Sequence, residues 1–387
     1  MPPPATWKTL FTSKFASLRL PIMGPPMIGV SGGKWAAAIQ QAGGLGFLAA
    51  GHLLPNQDEA LAHQIELYRT QMEQNGQDPN FLALGFIGHS ATPARPEAWE
   101  RYEDILATQQ PKVVQFFAPA VTHHPLQQEQ QQQQQQTNVS LAQEYGAIVM
   151  AQVGNVEHAQ QALDAGVDAL IVQGAEAGGH GLRPPLGRAL LPLLADVKAL
   201  VGQRQLTVPI LAAGGITTGA TAAAALCAGA HGVVLGTRLW ASREALGHDA
   251  YKQALVEAAS CDDVIRTTVM DQIQNSYVSS FAWPQPFDSL GVLQNDVTRT
   301  WDGRTEDLAR ELEEASSSSS SSSLVATNYA KACQMGNVQQ GAVLTGQGVG
   351  QLHSIDSVAD ILARIEEEMI ESIQALSENV IVSPEKE

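Results

Sequence analysis

Three segments of this chain repeat one pattern, in which a short apolar run stops at a glycine-rich turn. The first, Ala169 to Gly181, reads ALIVQGAEAGGHG and carries one histidine, His180. The second, Pro209 to Gly215, reads PILAAGG, and the third, Gly232 to Thr237, reads GVVLGT. Apolar runs of this length are typical of buried strands, and glycine lets the backbone turn sharply or approach a ligand closely. Because helical stretches separate the segments, the pattern predicts a parallel α/β protein that binds its ligand at the carboxyl ends of its strands.

The whole chain extends this rhythm to eight strand–helix units. The strand-like runs end near Met23, Ala49, Phe86, Phe117, Met150, Val172, Ala213 and Leu235. Helical stretches lie between them, such as Asn56 to Gln74, Val156 to Ala165 and Thr218 to Ala228. Eight parallel units favour a closed (β/α)8 TIM barrel of the α/β class over a doubly wound open sheet. A GxGxxG fingerprint after the first strand would favour the open sheet, but that turn reads GPPMIGVSGG from Gly24 to Gly33.

Composition narrows the class of protein. The chain has 387 residues, of which 44% are hydrophobic, which is enough for one large enzyme-like domain. Its formal net charge of −17 argues against a nucleic-acid backbone as partner, because proteins that bind nucleic acids present a basic face. No apolar run reaches the roughly 18 residues that a membrane span needs. We therefore expect small-molecule partners, with no nucleic acid and no membrane, and the sequence leaves the oligomeric state open.

The cysteines and the first residues bear on the compartment. Cys227, Cys261 and Cys333 form neither a CxxC pair nor a zinc spacing, so we expect free thiols in a reducing compartment and no metal site. The first 57 residues contain no Asp or Glu but several basic residues, a composition faintly similar to a mitochondrial presequence. The first predicted strand begins near Leu20 and leaves little chain to cleave. A cytoplasmic protein is therefore the preferred expectation, with a mitochondrial one as the alternative.

Two low-complexity tracts interrupt the strand–helix order, Gln127 to Gln136 and Ser316 to Ser323. Neither can bury apolar surface, so both are expected to be solvated loops. The barrel is predicted to occupy residues 1–259, with the Gln tract as a loop insertion. Residues 260–387 are predicted to form a helical and irregular C-terminal extension that packs on the barrel and covers its mouth. The extension ends in a predicted amphipathic helix from about Ser357 to Leu376.

The loops after the last two predicted strands have the composition of a phosphate site. They supply Gly214, Gly215, Gly236 and Thr237. Gly215 precedes Ile216 and Thr217, which are expected to open the next helix, so its N–H would point at an anion near the positive helix end. Thr237 would add a hydroxyl and an N–H. The alternative is that these glycines only make tight strand–helix turns.

Four longer segments resemble the nitronate monooxygenase family, formerly called nitropropane dioxygenases, whose members are FMN-dependent barrels. The segments are PIMGPPMIGVSGGKWAAAIQQAGGLGFLAAG (Pro21 to Gly51), VQGAEAGGHG (Val172 to Gly181), PILAAGGI (Pro209 to Ile216) and GVVLGTRL (Gly232 to Leu239). The resemblance is close from Leu20 to Val256, and the tail motif TGQGVGQL (Thr345 to Leu352) is also similar to the family. QGAEAGGHG is the most specific piece, because many FMN barrels share the GG and GT turns.

The resemblance implies a role for individual residues. Positions that contact the flavin in the family match Pro26, Met27, Gln173, Gly178 and Gly179. Positions that bind its phosphate match Gly214, Gly215, Val234, Leu235, Gly236 and Thr237. The family's active-site histidine matches His180. The resemblance therefore implies one FMN and one catalytic histidine.

One position departs from the family pattern. Many bacterial members have an asparagine at the end of the third strand, in a pattern like GVN, whereas ALGFI (Ala83 to Ile87) places Gly85 at or near that position here. Any flavin contact at Gly85 would have to come from its backbone. The loop after the histidine, GLRPP, also differs from the commoner HRG pattern.

His180 is the histidine that we expect to be catalytic, because it follows two glycines at the predicted mouth of the barrel. His52 and His89 follow strand ends and are secondary candidates for the pocket. Glu176 either orients His180 or, as we prefer, is a loop carboxylate bonded to backbone N–H groups. Two further histidines adjoin the Gln tract and are expected to face solvent, His123 and His124.

The resemblance implies FMN-dependent oxidation of alkyl nitronates, and of nitroalkanes, with dioxygen as the second substrate. FMN would carry the redox chemistry while the protein binds and orients it. His180 would be a hydrogen-bond donor or cation beside a nitronate anion, or the general base for a neutral nitroalkane. An alternative on the same barrel is an NAD(P)H-dependent flavin reductase of the quinone or enoyl-acyl carrier protein reductase type. A non-enzymatic binding protein is a third hypothesis, and the intact glycines and His180 argue against it.

Overall fold

The computed structural model describes residues 6–15, 18–54, 57–92, 94–123, 136–278, 282–317 and 323–379. Most of both low-complexity tracts, and His124, lie outside these residues. His123 is described and is exposed, as the sequence predicts. Among the helices of the described ranges, none combines the length and the hydropathy of a membrane span.

The chain forms one parallel sheet of nine strand segments and a second sheet of three. The strands are β1 (Ile22–Gly24), β2 (Leu45–Gly46), β3 (Leu48–Gly51), β4 (Ala83–Ile87), β5 (Val113–Phe117), β6 (Ile148–Val153), β7 (Ala169–Gln173), β8 (Gly179–Gly181), β9 (Ile210–Ala213), β10 (Gly232–Val234), β11 (Val264–Thr267) and β12 (Ser289–Leu293). The large sheet has the order β2-β1-β10-β9-β7-β6-β5-β4-β3. Only Phe47 separates β2 from β3 along the chain, so the two edges of the sheet belong to one interrupted strand. The sheet therefore closes, and the predicted (β/α)8 barrel is confirmed.

Helices connect these strands and surround the barrel. In the described residues they are α1 (Leu10–Lys14), α2 (Gly33–Gln41), α3 (Asp58–Gln74), α4 (Pro96–Gln109), α5 (Asn138–Glu144), α6 (Val156–Asp164), α7 (Leu190–Gln203), α8 (Gly219–Cys227), α9 (Thr237–Trp240), α10 (Asp249–Glu257), α11 (Val269–Asn275), α12 (Asp296–Trp301), α13 (Thr305–Ser317), α14 (Leu324–Met335) and α15 (Val358–Asn379). The amphipathic helix that the sequence predicts near the end of the chain is α15. It packs against α8 and α2 and fills the place in the outer ring that the short α9 leaves between them. Ile361, Leu362, Ile365 and Met369 are buried along its inner face.

Side chains inside the barrel change character from one end to the other. Phe11 of α1 and Phe15, which follows this helix, pack at the amino ends of the strands. They form an inner cluster with Met23, Phe47, Ala83, Val113, Met150, Ile171 and Leu211. Alternate residues of a strand point to the same face, so the inward positions two residues further on are those of Gly85, Gln115, Gln152 and Gln173. The inner face is therefore apolar at the amino ends and becomes polar toward the carboxyl ends of β5, β6 and β7.

The C-terminal extension meets the barrel at the loop that carries His180. β12 pairs antiparallel with both β11 and β8, and Leu290 lies opposite His180 in this small sheet. Helices α11, α13 and α14 build a separate apolar cluster behind it, which includes Met270, Leu308 and Tyr329. Residues far apart in the sequence therefore support both sides of the histidine loop.

Candidate active site

The three glycine-rich turns lie at one end of the barrel. They follow β7, β9 and β10, which are neighbours in the sheet, with Gln173 opposite Ala213 and Ala213 opposite Val234. Because all three strands are parallel, the turns leave the barrel at its carboxyl end. His180 and Thr237 therefore lie at the same mouth, as the sequence predicts.

The histidine loop is held by an arginine from the extension. The guanidinium of Arg266 donates hydrogen bonds to the carbonyl oxygens of Ala175 at 3.2 Å, Ala177 at 2.5 Å and Gly179 at 3.3 Å. Burial lowers the pKa of Arg266 to about 10, and the nearby charge of Glu176 opposes that shift. The guanidinium stays protonated at neutral pH and fixes the loop. The sequence shows no local signal of this role, because Arg266 lies on β11, far along the chain.

Two glycines of the histidine loop are explained by backbone geometry. A Cβ atom on Gly178 would lie 2.4 Å from the carbonyl carbon of Thr345, so glycine is needed for the tail of the chain to cross here. Gly179 has φ of +64°, a conformation that favours glycine, and open space where a Cβ would lie. Gln173 lies inside the barrel, where its Nε2 donates to the carbonyl oxygen of His180 at 2.9 Å.

His180 is paired with a buried carboxylate. Its Nε2 atom lies 3.0 Å from Oδ1 and 2.9 Å from Oδ2 of Asp271, a residue of α11 that is 1% exposed. A carboxylate only accepts hydrogen bonds, so Nε2 carries a proton and Nδ1 is the ring atom left to contact a ligand. Sequence reasoning missed Asp271, because it is 91 residues from His180.

Glu176 does not orient the histidine. Its carboxylate accepts from the backbone N–H of Leu190 at 3.0 Å and so caps the first turn of α7. The preferred sequence interpretation, a loop carboxylate bonded to backbone N–H groups, is confirmed.

An indole covers one face of the His180 ring. The rings of Trp283 and His180 are stacked, with centroids 3.5 Å apart and planes 16° apart. His52 and His89 contact the same indole, with centroid distances of 5.6 and 5.1 Å, so both secondary candidates lie at the mouth. Phe117 adds a fourth ring at 6.3 Å.

The two additional histidines are neutral near neutral pH. The pKa of His52 is lowered to about 3, mainly by burial, and the proximity of His89, His180 and Arg95 contributes to this shift. Burial also lowers the pKa of His89 to about 4, although the bond of its Nδ1 to a backbone carbonyl opposes this. The aromatic side of the mouth is therefore a region of low polarity.

The turn after β9 differs from the sequence expectation. Gly214 and Gly215 have φ of +121° and +67°, so both adopt conformations that favour glycine. The prediction that Ile216 and Thr217 open the next helix is wrong, because α8 begins at Gly219. Thr218 caps α8, and the N–H of Gly219 donates to the Glu368 carboxylate of α15 at 2.6 Å. The Glu368 carboxylate therefore already supplies the negative charge that this helix end favours.

Free backbone donors remain at the ends of β9 and β10. The N–H groups of Gly215, Gly236 and Thr237 have no acceptor among the described residues. The nearest atom to a Cβ placed on Gly236 would be Sδ of Met27, at 3.9 Å, so this position is open. Neighbouring N–H groups without acceptors bind the oxygen atoms of an anion such as phosphate. A groove of about 360 Å³ lies beside Gly214 and Gly215.

The tail motif crosses this region. The N–H of Gly346 donates to Oγ1 of Thr237 at 3.0 Å, and Oγ1 of Thr217 donates to the carbonyl oxygen of Gly348 at 3.1 Å. The Thr237 hydroxyl is thus an acceptor toward the tail, and its own proton is available to a ligand. The tail motif therefore contacts the turns after β9 and β10 as well as the loop that carries His180.

The turn after β1 packs over β4, the third strand of the barrel. A Cβ atom on Gly85 would lie 2.0 Å from Cγ of Pro26, so Gly85 has no side chain because Pro26 occupies that space. Met27 lies beside Gly236 at the same mouth. The side chain of Val234 belongs to the inner cluster. The side chain of Leu235 packs in the apolar cluster that strand and helix residues form together, so Leu235 reaches the mouth only through its backbone. Within the described residues, no three ligating side chains come together as a metal site would need.

Comparisons with known proteins agree with this geometry. A family model described as nitronate monooxygenase matches residues 9–368. The nitronate monooxygenase npaC of Metarhizium robertsii is 29% identical over 351 residues, which is 88% of this chain and 88% of that protein. An octahydro-indene-carboxyl-CoA dehydrogenase of Mycobacterium tuberculosis is 28% identical over 256 residues, which is 62% of this chain and 70% of that protein.

Solved structures show the same fold. The structure of FabK from Thermotoga maritima has a TM-score of 0.70 at 23% identity, covering 97% of this chain and 100% of that one. The family match extends over nearly all of the barrel and the extension, including the histidine loop and the tail motif. The chain therefore belongs to the nitronate monooxygenase family and is a flavin oxidoreductase that acts on small molecules.

Proposed function

We propose that this protein oxidises alkyl nitronates, and more slowly nitroalkanes, with FMN as cofactor and dioxygen as the second substrate. The observation that carries the proposal is the juxtaposition at one mouth of an Asp271-paired His180 and a set of acceptor-free backbone donors. The first is an arrangement for binding an anion or moving a proton, and the second is an arrangement for holding a phosphate.

The residues at the mouth fit FMN in two parts. Its phosphate would lie on the N–H groups of Gly215, Gly236 and Thr237, with the Thr237 hydroxyl as a further donor and Gly214 shaping the turn. The backbone of Val234 and Leu235 would lead to these phosphate donors. The ring would lie on the surface made by Pro26, Met27, Gly85, Gln173, Gly178 and Gly179. When bound, FMN supplies the redox chemistry by accepting electrons from the substrate and passing them to dioxygen.

His180 is the residue that we assign to the substrate. A nitronate is an anion, so a proton on Nδ1 of His180 would donate a hydrogen bond to its nitro oxygen. A neutral nitroalkane must first lose its α-proton, and the unprotonated Nδ1 would accept it. In both cases Asp271 keeps the proton on Nε2, so the same ring atom faces the substrate.

The aromatic side of the mouth would exclude water from this step. Trp283 covers one face of His180, and His52 and His89 are uncharged near neutral pH. A low-polarity surrounding strengthens the interaction between His180 and an anionic nitro group, because less solvent screens it.

A second candidate function is an NAD(P)H-dependent flavin reductase. The observation that favours it is the similarity over 256 residues to a protein named as a dehydrogenase. Oxygen uptake by the FMN-loaded protein separates the two candidates. The proposal expects uptake that depends on ethylnitronate and needs no nicotinamide, whereas uptake only with NADH or NADPH would favour the reductase.

A further inference from the structure

An amide group lies inside the barrel beside the position where the family pattern is broken. Gln115 of β5 is the register neighbour of Gly85 on β4, and both residues face the barrel interior. Gly85 has no side chain, and Pro26 fills the space above it. The inward polar group at this register therefore comes from the adjacent strand.

Only one of the two polar atoms of this amide has a hydrogen-bond partner among the described residues. Nε2 of Gln115 donates to Oε1 of Gln152 at 2.9 Å. Gln115 is 2% exposed, and its Oε1 has no hydrogen-bond partner among the described residues. A buried polar atom without a partner costs about 1–3 kcal/mol, so such atoms call for an explanation, and a ligand that supplies the partner is one.

The amide can be placed in two ways that preserve the bond to Gln152. If both glutamine amides are rotated by half a turn, Gln115 accepts from Gln152 and leaves its own N–H group without a partner. In either orientation one polar atom of Gln115 remains unpaired, an acceptor in the first case and a donor in the second.

We propose that Gln115 binds the pyrimidine edge of the flavin ring and takes the part that Gly85 cannot take. This edge presents carbonyl acceptors on either side of one N–H donor, so it complements the free atom of Gln115 in both amide orientations. The proposal rests on the FMN site proposed above and adds a residue to its ring side. Gln152 then acts as a positioning residue, because its bond fixes the amide.

The test is flavin binding to the apoprotein, followed by quenching of flavin fluorescence. Gln115→Met keeps an unbranched side chain of similar size and removes both polar atoms. FMN and riboflavin are titrated in parallel, because riboflavin has the ring but no phosphate. Loss of a ring contact should weaken both flavins equally, by about tenfold, which is the effect of one hydrogen bond with an unpaired partner left behind.

Gln40 offers a matched control. It is 8% exposed on α2 and also has a buried Oε1 without a partner among the described residues, but it lies outside the barrel. Gln40→Met should bind both flavins as the wild type does. Should Gln115→Met fail to fold, Gln115→Asn keeps the amide but withdraws it by one methylene group and should also weaken both flavins.

The outcomes separate this inference from the proposed function. Wild-type affinity for both flavins in the folded Gln115 variants, or a loss confined to FMN, would overturn the role of Gln115 while leaving FMN binding intact. A wild-type apoprotein that binds neither flavin would instead overturn the proposed cofactor, and this inference with it.

Discussion

Nε2 of His180 lies 2.9 Å from the carboxylate of Asp271, and this carboxylate has no other hydrogen-bond partner among the described residues. The pair joins the barrel to the extension, since His180 follows β7 and Asp271 belongs to α11. Removing the single partner of a buried carboxylate leaves an uncompensated charge in the interior and lowers the stability of the fold. The arrangement therefore links the chemistry of the mouth to the stability of the extension.

Replacing the carboxylate by an amide tests its positioning role. The amide of Asp271→Asn can donate a hydrogen bond as well as accept one, so Nε2 of His180 can lose its proton and the ring can adopt the other tautomer. We expect kcat/KM for nitroethane to fall by about 100-fold, a typical effect of a general base that is wrongly protonated, while the dissociation constant of FMN stays the same. The control is Asp168→Asn, because Asp168 pairs with Lys14 at the opposite end of the barrel. Unchanged kinetics over the whole pH range would show that Asp271 only stabilises the fold.

Removing the imidazole should affect two substrates differently. His180→Ala should retain FMN, because its proposed phosphate donors lie on other strands. The loss of rate should be about 100- to 10,000-fold for nitroethane, which needs proton removal, and smaller for ethylnitronate, which does not. Steady-state oxygen uptake with both substrates measures the difference. Equal turnover by variant and wild type on both substrates would make His180 structural.

The same variant leaves Asp271 buried without its partner. We expect His180→Ala to lower the free energy of unfolding by about 3 kcal/mol, and Asp271→Asn in that background to restore much of the loss. Urea unfolding of the two single variants and the double variant measures this coupling. Additive effects would contradict it.

The phosphate site can be tested apart from the ring. Gly215→Val puts a β-branched side chain at φ of +67° and beside Glu176, whose Cβ would be 3.4 Å away. Affinity for FMN should fall, whereas affinity for riboflavin should change little. Gly146→Val is the control, since Gly146 also has positive φ, +82°, but lies in the turn before β6. A folded Gly215→Val protein with wild-type FMN content would count against this site.

Stability should decrease as the solution becomes acidic. The pKa of His52 is about 3 in the folded protein against its ordinary 6.5, so below pH 6.5 the unfolded chain binds the proton first. Between pH 7 and pH 5 this one residue should lower the free energy of unfolding by about 2 kcal/mol, and above pH 7.5 it should have no effect. Urea unfolding at both pH values measures the change, and His52→Asn should make it smaller. His63→Asn, on the exposed side of α3, serves as control. An equal pH dependence in His52→Asn and the wild type would refute the assignment.

Most of the fold could be predicted from local sequence patterns. Apolar runs and the glycines after them are short-range signals, so the eight strands and the mouth-forming turns were predictable, as was His180 within its own loop. Other features depend on distant residues and have no local signal. Asp271, Arg266 and Trp283 reach the histidine loop only through the packing of the extension. The start of α8 was misplaced although Thr218 is a local capping signal, whereas the Glu368 carboxylate at this helix end comes from the far end of the chain.

Flavin reduction by the substrate itself is the most direct test of the account. The FMN-loaded protein is mixed anaerobically with ethylnitronate, and separately with NADPH, while the absorbance of oxidised flavin is followed by stopped flow. We expect rapid bleaching with ethylnitronate, slower bleaching in Asp271→Asn, and recovery of the absorbance when dioxygen is admitted. Rapid bleaching with NADPH and none with ethylnitronate would contradict the proposed function and assign the protein to the reductases.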